Sequence, residues 1–169
     1  NFPPLTGGME RLNQHAFKAL QANSSIAMCG PQGAGQFMPE GTMCREVPLV
    51  PLSRFLIGCQ WEALKLARTY NPHVVYSGSG LTAPAALMAG RFSGARTICF
   101  LHGLDIVADH PLYRNLFLPA IRRIDCILVN SRHTAGLAES AGVLPGRIEI
   151  VHPGVELPNW SARTVGRQR

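Results

Sequence analysis

Short apolar runs alternate with longer segments of helical periodicity along the chain. The apolar runs end in glycine or serine and occupy 25–30, 73–80, 96–103, 126–131 and 147–154. Segments with apolar residues at helical spacing lie around them, at 9–20, 53–70, 82–92, 111–123 and 134–141. Strands that are apolar on both faces and alternate with helices are typical of a parallel sheet covered on both sides. The pattern therefore predicts an α/β fold with a doubly wound parallel sheet.

Four local features refine this prediction. The run 46–52 contains prolines, which favour a short strand at the edge of the sheet. Ser53 is placed to cap the long helix that follows, and Pro119 predicts a kink in the helix at 111–123. The first helix is predicted to turn one face to the core, formed by Leu12, Ala16, Phe17 and Leu20.

Composition and charge narrow the class of protein. The 169 residues are 46% apolar and 15% charged, which suits one folded domain, and no apolar stretch is long enough to cross a membrane. The net charge of +6 comes almost entirely from scattered arginines. A nucleic-acid binder more often carries a dense basic stripe with interleaved aromatic residues. Scattered arginines are typical of a solvated surface, and they also favour an anionic substrate or membrane face.

The five cysteines show no Cys-x-x-Cys pair. Cysteines within apolar runs behave as small buried hydrophobes. We therefore expect reduced thiols, no disulfide framework and no zinc site, and the histidines show no metal-ligand spacing either.

Two glycine-rich loops are candidates for binding phosphate groups. Gly7 and Gly8 precede the first helix, where backbone N–H groups can approach phosphate oxygens, although a plain tight turn has the same appearance. The stretch GSGLTA, with Gly78 and Gly80, matches the relaxed dinucleotide fingerprint after a strand and before a helix. An NAD- or FAD-dependent oxidoreductase is therefore an alternative, although this fingerprint normally follows the first strand of such a domain.

Titratable and polar side chains follow two of the predicted strands. His102 ends the most apolar strand, Gly103 permits a sharp turn, and Asp105 comes shortly after. Ser131 and Arg132 follow the next strand, where Ser131 is also placed to cap a helix. Ligands of doubly wound sheets bind at the carboxyl ends of the strands, so these residues are candidates for a site.

Four motifs occur in a characteristic order. They are Pro-Pro-x-x-Gly-Gly-x-Glu before a helix, a strand ending in His-Gly, Asn-Ser-Arg opening a helix, and IEIVHPGVE. Together they resemble the N-terminal domain of the retaining GT-B glycosyltransferases of family 4, a group that includes bacterial phosphatidylinositol mannosyltransferases and cell-envelope polysaccharide enzymes. The resemblance extends over 2–157 and implies a Rossmann-like domain that forms the N-terminal half of a GT-B enzyme.

The resemblance also implies roles for the candidate residues. Gly7 and Gly8 would face the diphosphate of a nucleotide-sugar donor, and His102 would act in catalysis beside the donor sugar. Asp105, Ser131 and Arg132 would lie on the side of the acceptor, which is a lipid-linked, saccharide or small-molecule compound. The implied enzyme is cytoplasmic, needs no metal or other cofactor, and can contact the membrane peripherally. The basic and apolar residues of 53–70 suit such a contact, but a helix that covers the sheet explains them equally simply.

Two features of the family have no counterpart in this sequence. The strand that precedes the Gly-Gly loop is absent, and so is the donor-binding domain with its Glu-x7-Glu motif. We therefore expect 1–157 to be the acceptor-side domain and 158–169 to be a linker towards a C-terminal domain. A fragment of this kind is expected to be inactive alone. A non-catalytic α/β module that binds a partner is the remaining alternative.

Overall fold

A computed structural model of the chain describes residues 2–107 and 110–154, except for the side chains of Leu104 and Asp105. In chain order the strands are β1 (Ala27–Pro31), β2 (Met43–Val47), β3 (Val74–Ser77), β4 (Arg96–Leu101), β5 (Cys126–Val129) and β6 (Ile148–Ile150). The helices are α1 (Gly8–Gln21), α2 (Leu52–Tyr70), α3 (Ala83–Ser93), α4 (Leu104–Val107), α5 (Leu118–Ile121) and α6 (Arg132–Ser140). Single 3-10 turns lie at Ala34–Phe37, Gly80–Thr82 and Pro145–Arg147, and a π-helical turn at Tyr113–Phe117 leads into α5.

Every strand pairing is parallel, so the predicted α/β class is confirmed. Within the described residues the strands form two sheets, β1-β2 and β3-β4-β5-β6, where one sheet was predicted. No ladder of hydrogen bonds joins the two sheets in this part of the chain. Helix α2 packs against both β1 and α3, and it thereby connects the small sheet to the large one.

The main core lies between the large sheet and the helices after it. Its most completely buried large side chains are those of Cys99, Leu101, Ile121, Ile124, Ile127 and Val129. Burial of a leucine or isoleucine side chain contributes about 1.5–3 kcal/mol, so these residues fix the carboxyl ends of β4 and β5 firmly. A second cluster joins Phe2 and Phe17, whose rings meet edge to face at 5.8 Å.

The buried face of α1 differs from the predicted one. Glu10, Asn13 and Phe17 are buried, whereas Leu20 is 48% exposed. The prediction is confirmed for Phe17 and wrong for Leu20, because it assumed an entirely apolar face. An asparagine can be buried when its amide is hydrogen-bonded, and that of Asn13 is bonded to the end of β3.

The predicted boundaries around the second helix also shift. Pro51 occupies the N-cap position of α2, so Ser53 lies within the first turn and does not cap the helix. Strand β2 ends at Val47 and therefore contains none of the prolines, although it does lie at the edge of its sheet, as predicted.

Pro119 is accommodated by the π-helical turn directly before α5. The N–H of Leu118 donates to the carbonyl of Tyr113, five residues back, in place of the usual four. Because proline has no N–H of its own, a widened turn beside it absorbs the missing helical hydrogen bond. The irregularity predicted from Pro119 is thus a π turn.

The five cysteines are free thiols. Among the described residues, no cluster of His, Cys, Asp or Glu side chains is arranged to hold a metal ion. Over the same residues, no helix combines the length and apolar character that a membrane crossing requires.

Candidate functional site

The site is built around His102, which directly follows β4 at the carboxyl edge of the large sheet. Phe100 and Leu101 before it are buried, so the backbone that carries the imidazole is held by the core. The imidazole contacts the Phe100 ring, with centroids 4.7 Å apart. Gly103 follows with φ +81°, a conformation that favours glycine, and the predicted sharp turn is confirmed.

The carbonyl oxygen of Gly78, at the end of β3, accepts two side-chain hydrogen bonds. One comes from His102 Nε2 at 3.0 Å, and the other from Asn13 Nδ2 at 2.9 Å. Because a carbonyl oxygen only accepts, the bond to His102 assigns a proton to Nε2. Nδ1 then carries a lone pair in the neutral ring and a second N–H in the imidazolium. The hydrogen bond therefore fixes both the orientation and the tautomer of the ring.

Asn13 is held in turn by Tyr76, whose hydroxyl donates to Asn13 Oδ1 at 3.2 Å. Burial raises the pKa of Tyr76, so the phenol remains a donor at neutral pH. A Cβ on Gly78 would lie 2.8 Å from the Asn13 amide, which explains the glycine at that position. Sequence reasoning missed Asn13. The available signal was a polar residue on the helical face that it shares with Glu10 and Phe17.

The loop after β3 is closed by its own hydrogen bonds. The hydroxyl of Ser77 lies 2.7 Å from that of Thr82, and the Ser79 hydroxyl accepts from the N–H of Leu81. Asn13 fills the space beside Gly78, whose carbonyl already accepts two donors. This geometry disfavours a dinucleotide at Gly78, because the Asn13 side chain fills the space in which a pyrophosphate would approach that residue.

Gly7 and Gly8 differ in what surrounds them. Gly7 is the N-cap of α1, and a Cβ there would clash with the carboxyl group of Glu10, which is buried beside the loop. A Cβ on Gly8 would meet no described atom within 4 Å. Packing therefore explains why position 7 is a glycine. It does not explain the glycine at position 8, which is exposed at the start of α1.

Ser131 caps α6, as predicted, by accepting from the N–H of Thr134 at 3.2 Å. The Thr134 hydroxyl donates to Asn130 Oδ1 at 2.8 Å and lies 3.0 Å from the Ser131 hydroxyl. It would also be 3.6 Å from a Cβ on Gly103. The turn after β4 at Gly103 and the start of α6 are therefore neighbours.

The predicted site residues are only partly brought together. Asn13 lies about 7 Å along the axis of α1 from Gly8, at the start of the helix. Its amide donates to the Gly78 carbonyl, which also accepts from His102. Arg132 is the exposed first residue of α6. The side chain of Asp105 is outside the described part of the chain. Roles on the acceptor side for these residues stay predictions.

Comparison with known proteins adds to this geometry. The sequence model of Glycosyltransferase Family 4 matches residues 6–158. Anabaena HepE in complex with UDP-glucose superposes with a TM-score of 0.69 and 13% identity, over 92% of this chain and 43% of that one. The lipopolysaccharide outer core galactosyltransferase WaaB, in its apo form, superposes with a TM-score of 0.64 and 14% identity, over 90% and 44% respectively. This chain thus spans less than half the length of both structures. Among curated proteins, none matches it in sequence.

Proposed function

Since this chain belongs to glycosyltransferase family 4, we propose that it is the acceptor-side half of a retaining enzyme that transfers a sugar from a nucleotide-sugar donor. Its fold is the Rossmann-like N-terminal half of the GT-B architecture. HepE was crystallised with UDP-glucose, which supports a UDP-sugar as donor. Membership of the family also makes the oxidoreductase and the non-catalytic binding module the less favoured alternatives.

The observation that carries the proposal is the fixed imidazole of His102. Retaining transfer passes through an oxocarbenium-like sugar and leaves a diphosphate with growing negative charge. Groups that are already oriented stabilise such charges without reorganisation at the moment of reaction. The hydrogen bond from Nε2 to Gly78 orients the ring at the edge of the sheet where ligands of this fold bind. We assign His102 to the side of the donor sugar, as the catalytic residue of this half.

Gly8 supports the position proposed for the diphosphate. Gly8 is exposed at the start of α1, and no neighbour explains the glycine, so a phosphate oxygen can approach the helix start there at close range. The positive end of the α1 dipole and the basic surface neutralise part of the leaving charge. We therefore propose that the reaction needs no metal ion.

The acceptor is proposed to be a cell-envelope saccharide or a lipid-linked compound at the cytoplasmic face of a bacterial membrane. WaaB, which has a similar fold, is a lipopolysaccharide outer core galactosyltransferase, and this supports a cell-envelope acceptor. Exposed Arg132 at the start of α6 suits an anionic group on such a molecule. Phosphatidylinositol is one acceptor of this kind, and Asp105 and Ser131 are assigned to the same side.

The test is His102→Ala in the full-length enzyme, with UDP release from UDP-glucose measured in the presence of saccharide and lipid-linked acceptors. We expect kcat to fall roughly 10²-fold, about 3 kcal/mol, with little change in thermal stability. His73→Ala is the matched control, because His73 is exposed just before β3, at the opposite edge of the sheet. Full turnover of His102→Ala, or loss of activity only through unfolding, would contradict the assignment. Loss of wild-type turnover in EDTA would contradict the metal-free reaction.

A further inference from the structure

A depression lined by arginines lies at the amino edge of the large sheet, opposite the edge that carries His102. Each arginine comes from a different place in the fold. Arg91 lies in the last turn of α3, Arg96 is the first residue of β4, and Arg123 follows α5. All three residues are exposed. The depression has a volume of about 450 Å³, which is within the range of small-molecule sites. We call it the arginine pocket.

The guanidinium groups of the pocket are not neutralised by ion pairs. Within the part of the chain that the structure describes, none of the three arginines pairs with a carboxylate. Arg123 donates to the carbonyl of Pro119 at 3.4 Å, a bond that uses one of the five N–H groups of its guanidinium. The pocket therefore presents charged donors from three sides.

Asp125 is the one carboxylate among the described residues that line the pocket. Its Oδ2 accepts from the N–H and from the hydroxyl of Thr97, both at 2.8 Å. These bonds, and more weakly the charges of Arg147 and Arg96, hold the pKa of Asp125 below its usual value. The carboxylate is thus ionised and already bonded to Thr97. One negative charge against three arginines leaves the pocket with an excess of two positive charges.

The backbone around the pocket is held in place by packing. A Cβ on Gly90 would clash with the methyl group of Thr97, which is only 3% exposed. Gly94, with φ +72°, ends α3 and turns the chain into β4. Arg91 and Arg96 stand on the two sides of this turn. A ligand would therefore meet a backbone that is already arranged, which lowers the cost of binding.

We propose that the arginine pocket binds a water-soluble compound that carries a phosphate or diphosphate group. The planar fork of a guanidinium matches two phosphate oxygens at once, and three such forks around one recess suit a group with at least two negative charges. Helix dipoles alone explain cations after α3 and after α5, but they do not explain Arg96, which begins a strand and lines the same recess.

The pocket is separate from the candidate site around His102. Strand β4 extends from Arg96 at one edge of the sheet to Leu101, directly before His102 at the other. At about 3.3 Å per residue, the two ends are roughly 20 Å apart. A ligand in the pocket would therefore not occupy the place of the sugar donor. The proposal stands or fails independently of the proposed transferase activity.

The test is calorimetric titration of the full-length protein with pyrophosphate, in metal-free buffer with excess UDP to fill any nucleotide site. We expect saturable binding, which Arg96→Gln and Arg123→Gln should each weaken roughly tenfold or more, because each removes a charge-assisted contact. Arg54→Gln is the matched control and should bind like the wild type. Arg54 is also exposed, but it lies at the start of α2, beside the start of α3 and thus at the other end of that helix from Arg91.

The proposal is wrong if the wild type shows no saturable binding of pyrophosphate. It is also wrong if Arg54→Gln weakens binding as much as the pocket variants do, since the attraction would then come from the overall charge. Binding that appears only without UDP would place the anion in a nucleotide site. Flotation with phosphatidylglycerol vesicles separates the two sources of phosphate: vesicle binding that Arg96→Gln abolishes, without pyrophosphate binding, would assign the pocket to a lipid headgroup. Because both pocket residues are exposed, we expect the variants to melt at the wild-type temperature in the absence of anion.

Discussion

The hydrogen bonds of Asn13 make a specific prediction about stability. In Asn13→Ala, the Gly78 carbonyl loses the donor at 2.9 Å and keeps the one from His102. Tyr76 loses the acceptor of its hydroxyl, which lay at 3.2 Å. Asn13 is only 5% exposed, so water does not readily replace either partner. Truncation should therefore affect both the free energy of unfolding and the orientation of His102.

The magnitude follows from the two bonds. Each intramolecular hydrogen bond contributes about 1 kcal/mol net, and leaving a buried polar group unsatisfied adds about 1–3 kcal/mol. Some relaxation is expected around the small cavity, so the loss should be about 2–3 kcal/mol. With a urea dependence of roughly 1–3 kcal/mol/M, the unfolding midpoint should fall by about 1 M or more. Asn13 and His102 donate to the same carbonyl, that of Gly78, so loss of the Asn13 amide should also loosen the orientation of His102. We therefore expect kcat to fall by more than the decrease in the folded fraction explains.

Urea unfolding of four proteins tests this reasoning: the wild type, Asn13→Ala, Tyr76→Phe and the double variant. We expect a coupling energy of about 1 kcal/mol between the two positions, since they share one hydrogen bond. His15→Ala, on the exposed side of the same helix, is the control and should stay within about 0.5 kcal/mol of the wild type. If Asn13→Ala is as stable as this control, or if the two changes are additive, the hydrogen-bonded chain from Tyr76 to Gly78 does not hold α1 as argued.

Two further predictions concern Gly8 and Asp125. Gly8→Ala should leave the free energy of unfolding unchanged or raise it by up to about 1 kcal/mol, because the added Cβ has open space. If a diphosphate approaches Gly8, turnover should fall roughly 10-fold or more. Unchanged turnover would refute the position proposed for the diphosphate. Asp125 accepts from the N–H and the hydroxyl of buried Thr97, bonds that hold the pKa of Asp125 below its usual value. Asp125→Ala should lower the free energy of unfolding by about 1 kcal/mol at neutral pH. Because the stabilisation requires the carboxylate, urea unfolding should show the difference between variant and wild type shrink as the pH falls through the folded-state pKa of Asp125. A difference that persists in acid would contradict this.

The fold was largely predictable because its strongest signals are local. The continuous apolar run before His102 marks β4, and the glycine after it marks the turn that the φ of Gly103 confirms. Helix starts were less predictable. Ser131 caps α6, as its sequence position indicates. In α2, however, Pro51 occupies the N-cap position with an extended backbone and no side-chain hydrogen bond, so this helix begins without the serine cap that Ser53 suggested. The division into two sheets depends on which strand edges meet, and residue patterns do not encode that.

The candidate site was predictable only as a set of positions. That His102 lies at a strand end follows from the sequence, but its hydrogen bond to Gly78 joins residues 24 positions apart. Asn13 and Gly78 are 65 positions apart. Periodicity identifies which residues share a helix face or a strand, whereas such contacts depend on packing between elements. For the same reason, the sequence around Gly78 resembled a nucleotide-binding loop, whereas the structure shows that the side chain of Asn13 from α1 fills the space beside Gly78.

The Gly78 carbonyl connects the two elements on which the proposed function depends. It accepts from His102 and from Asn13 of α1, so the helix that begins at Gly8 and the imidazole proposed for catalysis are fixed to the same atom. The loop that begins at Gly78 is closed by its own hydrogen bonds, which hold that atom in place. The position proposed for the diphosphate and the position proposed for the imidazole therefore depend on one short segment after β3.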